Sequence, residues 1–161
     1  KELGKIDGII IAMVGDLKNG RTIRSLSYLL GKYKNIKIFF VSPPAIRVSN
    51  DIKEYLKKHK INYEEISELE PIINKIDVLY QTRIQKERFK NKKDYLKFKG
   101  IYTIENKLAA KMKNRSIIIH PLPRNTEISA QVDSSPKAVY FKQARYGVLI
   151  RMALLKFVLT S

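Results

Sequence analysis

The sequence predicts an α/β fold: a doubly wound, mainly parallel β-sheet with helices on both faces, three layers in all, as in Rossmann-like domains. Short apolar runs of strand length alternate along the chain with segments whose apolar residues recur at helical spacing. The runs are continuously apolar, which is typical of strands buried on both faces. The length of 161 residues suits one domain with a sizeable core, so we expect a single unit over residues 1–161.

Four mainly apolar runs are predicted strands, at residues 9–14, 36–41, 78–82 and 116–119, and the short segment 63–66 is a further predicted strand. The first predicted helix follows the loop Gly15 to Arg21, and the second is capped by Asn50, a residue type suited to a helix N-cap. The sequence Ser-Glu-Leu-Glu at 67–70 fits a capping box for a third helix, and a further helical pattern covers 105–112. Strands and helices therefore alternate, as the connections of a parallel sheet require.

Residues 143–159 are predicted to form a terminal helix with almost no polar face. From Val148 onward, only Arg151 and Lys156 interrupt its apolar residues. A helix that is apolar all round is buried on all sides. The sheet of this domain can cover one face of the helix, so we expect the other face to pack against a partner outside the chain.

The composition excludes several classes of site. The chain has no cysteine, which removes disulfides, thiolate metal sites and a cysteine nucleophile, and we expect neither a metal nor a cofactor. The formal net charge is +17, but lysines are scattered along every segment, so we interpret the charge as a solvated surface and expect no nucleic-acid partner. No apolar run reaches the ~18 residues that cross a bilayer. We expect a cytoplasmic protein with no membrane partner.

The loop at residues 15–22, Gly-Asp-Leu-Lys-Asn-Gly-Arg-Thr, is predicted to bind an anion. A glycine-bracketed loop between a strand and a helix leaves several backbone N–H groups unpaired at the positive end of the helix dipole. The pattern nearly matches a nucleotide-binding P-loop, except that Arg21 replaces the lysine. A guanidinium favours a carboxylate, which it binds with two parallel hydrogen bonds. The alternatives are a P-loop-like nucleotide hydrolase and a basic nucleic-acid-binding module.

Two further loops follow predicted strands directly, one beginning at Arg83 and the other at His120. Ligands of open parallel sheets bind beyond the carboxyl ends of the strands. We therefore expect the loops that begin at Gly15, Arg83 and His120 to converge on one edge of the sheet.

Four motifs in the chain resemble the aspartate-binding domain of aspartate carbamoyltransferases, and the resemblance covers nearly the whole length. The motifs are Gly15-Asp16-Leu17-Lys18-x-Gly20-Arg21-Thr22, Thr82-Arg83-x-Gln85-Lys86-Glu87-Arg88, His120-Pro121-Leu122-Pro123-Arg124 and Tyr140-Phe141-x-Gln143-Ala144. Each motif alone is weak, but the four in this order and spacing are specific. Ornithine carbamoyltransferases are also similar, but they carry a cysteine where this chain has Pro121.

The resemblance implies roles for the matching residues. Arg21 and Arg83 would hold the two carboxylates of L-aspartate, and Gln85 would help position its amino end. Leu122 and Pro123 would line the junction with carbamoyl phosphate, and the carbonyl of Leu122 would accept hydrogen bonds from the reacting nitrogens. The family's Leu-Pro peptide bond at this position is cis, a rare geometry that suits a functional loop.

The implied supporting residues are Lys86, Glu87 and His120. Glu87 would orient Arg83, and the basic segment after Phe89 would move as the domains close. Taken singly, these features have plainer interpretations. His120, between an apolar strand and a proline, suits a structural role better than that of a general base, and the charged loop suits a solvated surface.

The family's other half, with a Ser-x-Arg-Thr phosphate loop and a His-Pro-x-Gln motif, has no counterpart in these 161 residues. The resemblance implies that a carbamoyl-phosphate-binding domain, on a missing segment or a separate chain, completes the enzyme. The whole would transfer the carbamoyl group of carbamoyl phosphate to L-aspartate, giving N-carbamoyl-L-aspartate and phosphate for pyrimidine biosynthesis. This chain alone would be inactive. The expected assembly is a homotrimer of complete catalytic chains, with or without regulatory subunits.

Overall fold

The computed structural model describes residues 1–85, 88–89 and 91–160, and only the backbone of Lys92 and Asp94. The strands are β1 (Ile10–Val14), β2 (Lys37–Val41), β3 (Asn62–Ile66), β4 (Val78–Gln81) and β5 (Ile117–Ile119). The helices are α1 (Arg21–Leu30), α2 (Asn50–Lys58), α3 (Lys92–Phe98), α4 (Asn106–Ala110) and α5 (Tyr140–Thr160). Short 3₁₀ segments lie at Pro44–Ile46, Glu70–Ile72 and Ala130–Ser134.

The five strands form one parallel sheet in the order β3-β2-β1-β4-β5. The central strand β1 pairs with β2 on one side and with β4 on the other, where Val14 lies beside Gln81. The chain leaves β1 towards β2 and β3, then returns to the opposite side of β1 for β4 and β5. This reversal confirms the predicted doubly wound sheet, and it opens a crevice outside the carboxyl ends of β1 and β4.

Hydrophobic clusters cover both faces of the sheet, because successive residues of a strand point to opposite faces. Ile11 and Met13 of β1 belong to a cluster that includes residues of α1 and α2. Ala12 and Val14 belong to a second cluster that includes residues of α4 and the first residue of α5. The three layers predicted from the continuously apolar strands are therefore confirmed.

Two local predictions are wrong. The N-cap of α2 is Ser49, whose backbone is extended, and Asn50 is already helical. The third predicted helix is only the 3₁₀ segment Glu70–Ile72, with Leu69 at its N-cap and no capping box. The apolar residues Leu69, Ile72, Ile73 and Ile76 are nevertheless buried, at the spacing of a helix face.

The basic segment after the β4 loop contains the helix α3, which the sequence analysis did not predict. The ring of Phe89 lies 6.0 Å from that of Tyr95 and 5.9 Å from that of Phe98, measured between centroids. These aromatic side chains therefore pack on one another.

Helix α5 leaves the body of the domain. Tyr140 is its buried residue, whereas every residue from Val148 to Thr160 is exposed. The exposed fraction rises from 54% at Val148 to 80% at Leu159. At ~1.5 Å per residue this stretch is about 20 Å long. The expectation that the sheet covers one face of the helix is thus wrong beyond residue 147. Among the described residues, no helix has the length and apolarity needed to span a membrane.

Candidate functional site

The three loops singled out from the sequence lie at one edge of the sheet. Strands β1, β4 and β5 are neighbours, with Val14 beside Gln81 and Tyr80 beside Ile119. Since the strands are parallel, the loops that follow them all leave from the carboxyl edge. The predicted convergence is confirmed, and the first two loops flank the crevice between β1 and β4.

Several backbone N–H groups of the first loop, residues 15–20, donate hydrogen bonds to other groups of the domain. The N–H groups of Leu17 and Lys18 donate to the carbonyl of Ile46, at 3.2 and 3.1 Å. The buried carboxylate of Asp16 accepts from the backbone N–H and the side-chain amide of Asn19, which closes the turn. The amides of residues 17–19 are therefore committed to protein acceptors. These three amides are thus not available to an anion, and the predicted anion binding falls to Arg21 and the start of α1, where it stays a prediction.

Arg21 provides a positive charge for an anion at the end of the first loop. It is the first residue of α1 and is exposed, and within the described helix the first turn carries no acidic residue. Arg21 lines an open pocket of about 590 Å³ together with Thr22, Tyr80, Ile119 and Gln143. Burial raises the pKa of the Tyr80 hydroxyl, and a hydrogen bond with Thr22 offsets part of that effect. An anion in this pocket would meet a guanidinium and the positive end of a helix.

The second loop begins with a residue that joins two strands. Thr82 follows β4 and donates both its backbone N–H and its side-chain hydroxyl to the carbonyl of Val14, at 2.9 and 2.8 Å. Gln85 accepts a hydrogen bond from Nε of Arg88 at 3.2 Å. The predicted supporting residues Lys86 and Glu87 lie outside the described residues, so their roles stay predictions.

Arg83 is half-buried and lines a different cavity from Arg21. Its cavity is bounded by Gln81, Tyr102 and Glu127 among others and measures about 30 Å³, which accommodates water rather than a dicarboxylate. The structure thus places the two arginines after adjacent, paired strands but does not bring them into one pocket. Their joint grip on a substrate stays a prediction.

The third loop is fixed by the buried side chain of His120. Its Nδ1 accepts from the backbone N–H of Leu122 at 2.9 Å, so the ring proton resides on Nε2. Nε2 lies 2.9 Å from Oε1 of Glu127, close but not aligned as a linear hydrogen bond. Burial would raise the pKa of Glu127, but the contact with His120 and bonds from backbone N–H groups outweigh it and lower that pKa. With Nδ1 bound by the N–H of Leu122 and Nε2 facing the Glu127 carboxylate, the buried ring of His120 has the geometry of a structural residue.

The Leu122–Pro123 peptide bond is cis, as the resemblance implied, and Leu122 has a φ of +50°. This left-handed conformation costs an L-residue about 1–2 kcal/mol. The bond from Leu122 N–H to His120 and a bond of 3.1 Å from the His120 N–H to Oε1 of Gln143 hold the loop in place. Gln143 thereby connects the loop to the start of α5.

Sequence reasoning assigned no role to Asp16, Thr82, Gln143 or Glu127. The first three stand within the quoted motifs, and a polar residue within two positions of the end of a buried strand, as at Asp16 and Thr82, is a usable signal of a buried hydrogen bond. Glu127 lies in an irregular segment, and nothing in the sequence relates it to His120. Over residues 1–85, 88–89 and 91–160, no group of acidic and histidine side chains is arranged to hold a metal ion.

The comparison with known families agrees with this geometry. The model of the aspartate/ornithine carbamoyltransferase family, Asp/Orn-binding domain, matches residues 7–158. The chain belongs to this family. As a carbamoyltransferase domain it has no need of a P-loop, and neither the nucleotide hydrolase nor the nucleic-acid-binding module is supported.

Curated relatives extend well beyond this carbamoyltransferase domain. The chain is 52% identical over 161 residues to an aspartate carbamoyltransferase of Arabidopsis thaliana named chloroplastic, with 99% of this chain and 41% of the relative covered. It is 50% identical over 156 residues to the aspartate carbamoyltransferase catalytic subunit of Methanocaldococcus jannaschii, with 97% and 50% covered. The chain thus spans about half the length of these relatives, or less.

Solved structures share the fold over the same region. The catalytic subunit of M. jannaschii aspartate transcarbamoylase superposes with a TM-score of 0.89 at 50% identity, covering 96% of this chain and 51% of that one. Aspartate transcarbamoylase from Trypanosoma cruzi, in complex with N-(phosphonacetyl)-L-aspartic acid, gives a TM-score of 0.86 at 40% identity, covering 96% and 50%.

Proposed function

We propose that this domain supplies the aspartate side of an aspartate carbamoyltransferase, which transfers the carbamoyl group of carbamoyl phosphate to L-aspartate. The observation that carries the proposal is the placement of Arg21 and Arg83 after two adjacent, paired strands at the crevice of the sheet. A dicarboxylate needs two cations at a set separation, and a ligand with one carboxylate leaves one of them unpaired. The names of relatives 50% identical to this chain support aspartate as that dicarboxylate.

In the proposed reaction each arginine holds one carboxylate and Gln85 positions the amino end of aspartate. The unprotonated amine attacks the carbonyl carbon of carbamoyl phosphate and forms a tetrahedral intermediate. Its collapse breaks the bond between carbon and the phosphate oxygen, and the departing phosphate takes the proton that the nitrogen loses. The carbonyl of Leu122, held by the contacts of His120, accepts from the reacting nitrogens. The domain contributes by positioning the reactants and by fixed dipoles.

The proposed partner is a carbamoyl-phosphate-binding domain that covers helix α5. Relatives twice as long as this chain and the exposed apolar stretch at 148–160 support it. An apolar surface of this extent is typical of a contact site. The domain alone lacks the phosphate side and is therefore inactive in this proposal.

The proposed assembly is a homotrimer of complete catalytic chains in the cytoplasm. The M. jannaschii relative is named a catalytic subunit, which supports an assembly with further, regulatory subunits. Plant relatives are named chloroplastic, so cell fractionation is the test of location, and analytical ultracentrifugation of the assembled enzyme is the test of the trimer.

The experiment on the function replaces each arginine in the enzyme assembled with its carbamoyl-phosphate half. Arg21→Ala and Arg83→Ala are expected to lower kcat/KM for aspartate by roughly two to three orders of magnitude, because a desolvated charge pair contributes about 2–5 kcal/mol. Arg115→Ala is the matched control, since Arg115 is exposed and precedes β5 at the opposite edge of the sheet. Unchanged kcat/KM in either site variant, with the fold intact, would contradict the proposal.

A further inference from the structure

We propose that Thr82 is a positioning residue that fixes the separation of Arg21 and Arg83 and so sets the length of dicarboxylate that the site accepts. The inference rests on the proposed function, because it concerns how the two arginines are held. It concerns a residue that touches neither carboxylate and acts through the loops that carry them.

The geometry around Thr82 joins the two arginine loops at their origin. Thr82 immediately precedes Arg83 and is 4% exposed. Its hydroxyl donates to the carbonyl of Val14 at 2.8 Å, and its backbone N–H donates to the same oxygen at 2.9 Å. Val14 is the last residue of β1, from which the first loop departs towards Arg21. The carbonyl of Val14, at the end of β1, therefore accepts both hydrogen bonds that Thr82 donates.

The two loops are also in close steric contact at this point. A Cβ atom added to Gly15 would lie 2.5 Å from the carbonyl oxygen of Thr82 and 2.7 Å from its hydroxyl oxygen. The N–H of Gly15 donates to the carbonyl of Val41 at 3.1 Å, which ties the same residue to β2. With so little space between Gly15 and Thr82, the position of one loop determines the position of the other.

The remainder of the first loop transmits this position to Arg21. The amides of Leu17 and Lys18 are bound to Ile46, and Asp16 closes the turn on Asn19. Arg21 then opens α1 directly after Gly20. Hydrogen bonds thus hold the first loop together, from Gly15 beside Thr82 to Arg21. Arg83 directly follows Thr82, with ~3.8 Å between their Cα atoms.

The fold of the sheet does not depend on the hydroxyl group of Thr82. The backbone N–H of Thr82 already continues the ladder between β1 and β4, so the sheet does not depend on the second donor. The hydroxyl instead restricts the side chain and the following peptide of Thr82 against Val14. Its loss is expected to let the arginine loops vary in separation, and a site of variable width discriminates less between dicarboxylates that differ by one methylene.

The test compares Thr82→Val and Thr82→Ser in the enzyme assembled with its carbamoyl-phosphate half. Valine keeps the shape of threonine without the hydroxyl, and serine keeps the hydroxyl. Ser116→Ala is the matched control, because Ser116 is also buried and donates to a backbone carbonyl, that of Lys113 at 2.6 Å, but at the opposite edge of the sheet. The readouts are KM and kcat for aspartate and the inhibition constants of malonate, succinate and glutarate.

Thr82→Val is expected to raise KM for aspartate roughly tenfold with little change in kcat, and to reduce the preference for succinate over malonate and glutarate by a similar factor. Thr82→Ser is expected to keep the wild-type KM for aspartate and the wild-type preference for succinate. Ser116→Ala is expected to lower stability without changing either. Unchanged KM and selectivity in Thr82→Val would overturn the inference, and so would an equal weakening of all three inhibitors, which is what a merely structural role predicts.

If Thr82→Val does not fold, Thr82→Cys, a weaker donor of similar size, is expected to show the same loss of selectivity, and wild-type selectivity in that variant overturns the inference. The arginine variants separate this failure from failure of the proposed function. If Arg21→Ala and Arg83→Ala abolish aspartate use while Thr82→Val is unchanged, only the positioning role is wrong. If the arginine variants also retain aspartate use, the proposed function is wrong.

Discussion

Replacing Gly15 by alanine tests the close contact between the first two loops. The added Cβ would lie 2.5 and 2.7 Å from the carbonyl and hydroxyl oxygens of Thr82 and 3.2 Å from its carbonyl carbon, and Gly15 has a φ of +117°. The backbone conformation costs an L-residue about 1–2 kcal/mol. The overlap costs about 1–3 kcal/mol more, because two of the opposing atoms are backbone atoms that a rotamer change cannot move. We therefore expect Gly15→Ala to lower the free energy of unfolding by about 2–5 kcal/mol.

The control glycines also have a positive φ, although one nearer the left-handed helical region than that of Gly15, and they lack the overlap. Gly4 has a φ of +71° with no atom within 4 Å of the added Cβ, and Gly100 has a φ of +80° with the nearest atom, Oγ1 of Thr103, at 3.9 Å. Gly4→Ala and Gly100→Ala are expected to cost only the conformational term, about 1–2 kcal/mol. The assay is urea unfolding followed by far-UV circular dichroism, with the slope m held common. A cost for Gly15→Ala equal to that of Gly100→Ala would refute the argument that the loops are in contact at this residue.

Two further predictions concern the loop of His120 and helix α5. Because the pKa of Glu127 is lowered in the folded state, its ionised form stabilises the fold above its ordinary pKa of 4.5, and this contribution is lost as the pH falls through the lower folded value. Glu127→Gln is therefore expected to flatten the dependence of the unfolding free energy on pH below 4.5, and an unchanged acid-unfolding curve would contradict it. For α5, Leu155→Glu and Val158→Glu are expected to change the stability of this domain by less than about 0.5 kcal/mol, because both side chains are exposed, but to prevent its association with the carbamoyl-phosphate half. Wild-type association in gel filtration would contradict the proposed contact.

Most of the sheet was predictable because strands buried on both faces have mainly apolar sequences. The edge strand β3 is the exception, since it contains Glu64 and Glu65 and has no fully buried residue. Each predicted strand overlaps an observed one, and the first differs by one residue, since Ile9 precedes the ladder that begins at Ile10. The predicted third helix failed although its pattern of burial was right. The apolar positions at 69–76 are buried as a helix would bury them, but the chain forms only the 3₁₀ turn Glu70–Ile72, so apolar spacing alone does not distinguish the two.

The placement of the candidate site was predictable from topology, whereas its hydrogen bonds were not. Three loops after parallel strands must share an edge, and they do. The commitment of the Leu17 and Lys18 amides depends on Ile46, which belongs to another segment and reaches the loop only in the folded chain. The bond from Thr82 to Val14 likewise joins residues 68 apart in the sequence. Local pattern carries no information about contacts of this range.

For helix α5 too, the sequence predicted the apolar character of the helix but not its position relative to the sheet. Its uniformly apolar sequence predicts a contact beyond this domain, and the exposure of residues 148–160 leaves room for that contact, which stays a prediction. The sequence did not indicate that the helix leaves the sheet altogether after residue 147, because its apolar residues give no preferred face to pack.

The most direct test of the central claim is the identity of the product formed from ¹³C-labelled carbamoyl phosphate by the enzyme assembled from this chain and its carbamoyl-phosphate half, with L-aspartate or L-ornithine as the acceptor. The family comprises both aspartate and ornithine enzymes. The account predicts N-carbamoyl-L-aspartate by NMR with aspartate, and no carbamoylated product with ornithine. Carbamoylation of ornithine, or a correctly folded assembly that forms no product from aspartate, would contradict it.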